Sequence, residues 1–237
     1  MSVIVRKDGN RYLTNNNQSI PENAWEVLPY LQKHAGKYFW LLIKALLDVD
    51  RRCYLVRGNR GVPEQNLERD FCAHILGIWE SLSKDFNNEL MVNGDILKSI
   101  PEIIYPDLAL NIREGDCQEV VVEVKRDVQQ TSSEKIFKDL DKLSNLTNGV
   151  YSPEYGYNVI GGRYHPYAIG VFVFICGDFR RLKSKFRYKR NELIQYVNNL
   201  GELSNRIFCV CSPGDGSLEY ATLSEFVNVI MQGNREQ

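Results

Sequence analysis

Tyr105-Pro106-Asp107-Leu108-Ala109-Leu110, followed across a short polar segment by Val120-Val121-Val122-Glu123-Val124-Lys125, is the stretch from which the rest of the chain is read. Residues 103–112 are apolar at most positions, residues 119–125 are rich in valine, and Glu114-Gly115-Asp116 lies between them. That pattern predicts a β-hairpin turning near Gly115 and Asp116. Such a turn sets Asp107 opposite Glu123 or Val124, where cross-strand neighbours are about 5 Å apart. Glu123 and Lys125, two positions apart, leave one face of their strand, and Val122 and Val124 leave the other toward a core. Two carboxylates so placed can hold a hard divalent cation, and an amine beside them can serve a hydrolytic water. The competing structural reading makes Asp107 a strand terminator and Glu123 with Lys125 a weak, solvated pair at a sheet edge. The apolar residues of 119–125 occupy both alternation phases, however, which argues for a strand inside a sheet, where charges need a metal or a partner.

Pro106-Asp107, a gap, then Glu123-Val124-Lys125, with a helix predicted over residues 132–146, resembles the PD-(D/E)xK nuclease superfamily. The resemblance covers about residues 60–176. It implies an α/β protein of restriction-endonuclease-like fold, a mixed central sheet flanked by helices, here with an N-terminal helical extension. It also implies hydrolysis of phosphodiester bonds in DNA with Mg²⁺, or Mn²⁺ as a substitute. By the resemblance Asp107 and Glu123 are metal ligands, the Val124 carbonyl is a third, and Lys125 positions or activates water. The superfamily's helix-borne acid would fall on the helix predicted from Pro63 through Leu82, where Glu64 and Glu68 share a face. Glu68 is preferred because it sits deeper than the frayed first turn, although both acids equally suit the positive end of a helix. The superfamily also contains inactive relatives, so the same residues fit a catalytically silent nucleic-acid-binding or partner domain in a defence or repair assembly. A homodimer or a helicase or ATPase partner is compatible with either reading.

The chain has 237 residues, 43% hydrophobic and 25% charged, with a formal net charge of −1. That composition is ordinary for a globule with a substantial core, as one elaborated α/β domain or two small ones. The division expected is a strand and helix extension over residues 1–60 packed on a nuclease-like core over residues 61–237. The first ten residues lack the apolar core of a secretory signal, and no apolar run approaches about 18 residues. The expectation is a cytoplasmic protein with no membrane partner. Six cysteines include no C-x-x-C pair, so a zinc site is not indicated, and they read as reduced, buried small hydrophobes.

Short extended pieces flank the turn Asp8-Gly9-Asn10, and helical periodicity over residues 21–34 and 37–49 predicts a helical layer against the sheet. Residues 90–93, the Asp107 segment and the Glu123 segment are the first three core strands. The helix over residues 132–146 puts Ile136, Phe137, Leu140, Leu143 and Leu146 inward and Glu134, Lys135, Lys138, Asp139, Asp141 and Lys142 outward. Strands at 168–176 and 206–211 and a terminal helix at 224–231 complete the order. Arg180, Arg181, Lys183, Lys185, Arg187, Lys189 and Arg190 form a run without an acid, leaving about −8 on the remainder of the chain. With Phe186 and Tyr188 interleaved, the run suits contact with DNA phosphates, and equally a solvated face or an acidic protein partner.

Overall fold

The central strand Ile169–Ile175, sequence IGVFVFI, is buried at every position. A strand buried throughout must be covered on both faces, and the chain supplies two distinct covers. The structure, a computed structural model, describes residues 3–9, 11–19, 39–49, 90–92, 107–112, 118–127, 131–148 and 169–231. The predicted helices at 21–34 and 63–82, with Glu64 and Glu68, lie outside those residues.

In chain order the elements are β1 (Val3–Asp8), β2 (Arg11–Leu13), α1 (residues 39–49), β3 (Leu90–Val92), β4 (Leu108–Ile112) and β5 (Gln118–Arg126). There follow α2 (Ser133–Asn148), β6 (Ile169–Ile175), α3 (Phe179–Lys185), α4 (Arg190–Leu200), β7 (Ile207–Ser212) and β8 (Ser217–Thr222). The last described element is a turn of α-helix at Leu223–Glu225 that continues as a π-helix over Phe226–Met231. Among the described residues eight strands join one sheet in the order β2-β1-β8-β7-β6-β5-β4-β3. Only the centre is parallel, β5 with β6 and β6 with β7. Parallel neighbours need crossovers, and α2 lies in the first connection, α3 and α4 in the second. The molecule is therefore an α/β protein with a mixed sheet flanked by helices.

Alternation along the strands sorts the two cores. Val120, Val122, Val124, Val171, Val173 and Val210 point to one face and pack with Phe39, Leu42, Ile43, Leu46 and Leu47 of α1. Val121, Phe172, Phe174, Cys209 and Cys211 point to the other, beneath Leu140 and Leu143 of α2, Leu182 of α3 and Leu193 of α4. Gly170 lets α2 approach closely, since a Cβ there would lie 3.0 Å from Thr147 Oγ1 and 3.3 Å from Leu143 Cβ. Val122 and Val124 thus enter a core as their spacing predicts, and the helical layer expected over 37–49 covers the sheet through residues 39–49.

Two features depart from the sequence reading. Residues 217–222, read as no element, form β8 after a connection in which Gly214 and Gly216 take φ of 94° and 80°. The strand is short and half polar, so pairing with β7 and β1 makes it a strand where its own residues do not. Asp139, read as solvent-facing, is buried. At about 100° per residue it sits about 60° around α2 from Ile136, on the flank of the apolar stripe that meets the sheet.

Candidate acid and lysine site on strand β5

The β4–β5 ladder runs antiparallel with Leu108 opposite Val122, Ala109 opposite Val121 and Leu110 opposite Val120. That register is symmetric about position 115 and brings Asp107, the next residue out, level with Glu123. Leu108 is the last ladder residue among the described residues, and next to it the Asp107 side chain serves the strand: Val124 N–H donates to Asp107 Oδ2 at 2.6 Å. Asp107 is thus tied to the backbone of the strand that carries Glu123 and Lys125.

Glu123 is only 1% exposed. Lys142 of α2 reaches across to it, with Nζ 2.7 Å from Oε1 and 2.8 Å from Oε2. Lys125, the next residue on the same face of β5, has its ammonium 3.4 Å from Asp139 Oδ2, also on α2. Asp127, the third residue of that face, meets Arg181 at 3.1 Å and Lys185 at 3.0 Å, both from α3. One face of β5 therefore carries acid, base and acid in sequence, each opposed by the complementary charge from a helix.

Burial first, and the neighbouring Asp107 second, push the Glu123 carboxyl up to about 8 against the pull of Lys142. Asp139 is also raised, chiefly by burial, with Lys125 and Lys142 opposing the shift. The charge of Asp107 thus reaches Glu123 across the strands. Hard carboxylate oxygens of this kind suit Mg²⁺, which is commonly held by one or two carboxylates and completes its octahedron with water and phosphate oxygens. Among the described residues no group of three His, Cys, Asp or Glu side chains converges as a metal cluster.

Sequence reasoning brought Asp107, Glu123 and Lys125 together but missed Asp139 and Lys142. The signal for them was their i, i+3 spacing at the edge of the apolar stripe of α2, and only the packing of that helix on β5 gives the spacing a meaning. Glu219 was also missed. It accepts from Phe179 N–H at 2.7 Å beside the N-cap Asp178, so two acids face the start of α3.

The basic run is less open than its composition suggests. Arg181 and Lys185 are held by Asp127, and Lys189 pairs with Glu134 at 3.1 Å and Glu192 at 3.3 Å. Arg187 lies over the ring of Tyr188, 5.5 Å from its centroid, and Tyr188 is 90% exposed. Arg180, Lys183, Arg187 and Arg190 form no ion pair among the described residues. Cys209 and Cys211 are buried free thiols and Cys176 is a half-buried one. No helix among the described residues is long and apolar enough to cross a membrane.

Comparison with known proteins returned no matching family model, no matching curated protein and no matching solved structure.

Proposed function

We propose that this chain is a Mg²⁺-dependent nuclease of the PD-(D/E)xK type, hydrolysing phosphodiester bonds in DNA on a restriction-endonuclease-like core. One observation carries the reading: the buried Glu123 lies level with Asp107 across two paired strands, and Lys125 follows on the same face. Asp107 and Glu123 would hold the ion, the Val124 carbonyl would be a third donor, and Glu68 would be the helix-borne acid. When bound, the ion supplies Lewis-acid polarisation of a phosphoryl oxygen and a more acidic water. Lys125, as an ammonium with three donors and no acceptor, orients the attacking water and offsets charge gathering on the phosphate. The Asp107 link to Val124 N–H holds one carboxylate beside the strand that carries Glu123.

A second reading, a silent nucleic-acid-binding or partner domain of the same fold, draws support from Lys142, which already supplies Glu123 with a positive charge. Cleavage of linear, circular, flapped and single-stranded DNA in Mg²⁺ and in Mn²⁺ separates the two. The nuclease reading expects activity in the wild type, loss of at least about a hundredfold in D107N and E123Q, and retained metal binding with lost turnover in K125A. Wild-type rates in all three variants would remove the site. A wild type that binds DNA and never cleaves it favours the silent domain.

A further inference from the structure

Lys142 stands where a divalent ion would have to be. Its ammonium touches both carboxylate oxygens of Glu123, at 2.7 and 2.8 Å. Glu123 is 1% exposed and the Lys142 side chain 24% exposed, so a buried carboxylate is paired with a more accessible ammonium. A divalent ion bound at its usual distance of about 2.1 Å from a Glu123 oxygen would sit within roughly 3–4 Å of that ammonium. Two such cations repel strongly in a partly buried site, so the ion and the ammonium compete for the carboxylate.

A second carboxylate, which already meets Lys125 at 3.4 Å, lies within the same cluster. Asp139 lies three residues earlier on the same helix, buried on the flank that faces β5, and it feels the charge of both Lys125 and Lys142. A flexible four-carbon stem lets Lys142 turn from Glu123 toward Asp139 without leaving the site. On the reading of this site as a divalent-ion site, we infer that Lys142 is its resident cation, which holds Glu123 until the ion arrives and is displaced toward Asp139 when it binds. Lys142 is then a positioning residue: it keeps a buried carboxylate folded inward and sets how readily the ion gains entry.

The test is thermal denaturation with and without saturating Mg²⁺ at pH 9, with calorimetric titration of Mg²⁺ alongside. K142M, which leaves Glu123 without its counter-charge, should melt on the order of 5 °C below the wild type in chelator. Mg²⁺ should close most of that gap while moving the wild type less, and K142M should bind Mg²⁺ about tenfold more tightly. D107N should remove the Mg²⁺ effect in both backgrounds. Where K142M does not fold, K142Q, which keeps a donor to Glu123, makes the same comparison. Equal Mg²⁺ shifts in wild type and variant would make Lys142 a structural partner only and overturn the inference while leaving the nuclease reading standing. Tighter binding by the wild type than by the variant would do the same. No Mg²⁺ binding by either protein would overturn both.

Discussion

Asp107 carries two duties that pull against each other. As a candidate ligand it should be free to turn toward an ion, yet its Oδ2 accepts Val124 N–H at 2.6 Å where the β4–β5 ladder has ended. Val124 is 2% exposed, so its amide has little access to water once that acceptor is gone. An unmet buried N–H costs about 1–3 kcal/mol. D107A should therefore lose stability as well as any metal binding, whereas D107N keeps an acceptor oxygen and should lose only the charge. Urea denaturation of the two variants checks this. Equal stabilities for D107A and D107N would show that the Val124 contact contributes nothing. The sequence pattern offered Asp107 either as a ligand or as a strand terminator, and the Val124 contact gives it the second role, which depends on where the strand pairing stops.

Between elements, the face of β5 and the helices above it are joined by opposed charges rather than by apolar contact alone. Asp127 draws Arg181 and Lys185 onto the sheet, and Glu134 at the start of α2 holds Lys189. The basic run thereby divides by partner. Arg181 and Lys185 fasten α3, while Arg180, Lys183, Arg187 and Arg190 form no ion pair among the described residues and are, on the nuclease proposal, the candidates for phosphate contact. Changing Lys183, Arg187 and Arg190 together to Ala should reduce the slope of log affinity for DNA against log salt by about two to three units. The loss should be alike for every DNA sequence, with little change in stability. R181A with K185A should instead lower the melting temperature and alter the slope less. Filter binding over a salt series with matched melting curves separates the groups, and the opposite pattern would mean that α3 releases Asp127 to meet DNA. The composition of residues 180–190 was legible from the sequence. Which of its charges are occupied was not, because their partners lie about fifty residues away in the chain.

For the molecule as a whole, the buried Glu123 and Asp139 and the half-buried Glu219 set a dependence on pH. The folded-state value of Glu123 is raised to about 8, and those of Asp139 and Glu219 are raised as well. A raised carboxylate favours folding fully below its unfolded value, and that contribution is lost as pH rises through the folded value. Metal-free protein should therefore melt at a lower temperature at pH 9 than at pH 6, and E123Q should remove most of that fall. A wild type with the same melting temperature at both pH values, or an E123Q variant that falls as steeply, would show that burial of Glu123 does not govern stability. From the sequence alone came the period-two alternation that sends Val122 and Val124 into one core and Glu123 and Lys125 to the other face. The antiparallel pairing that sets Leu108 opposite Val122 and the buried central strand were legible for the same reason, since each is a local pattern. The tertiary structure decided what is non-local: that residues 217–222 become a strand between β7 and β1, that α2 lays Asp139 and Lys142 over Lys125 and Glu123, and that Asp127 anchors the basic helix. Charged residues at i, i+3 on a helix look alike in a sequence whether they face water or a buried carboxylate, and only the packing of the helix on its sheet separates the two.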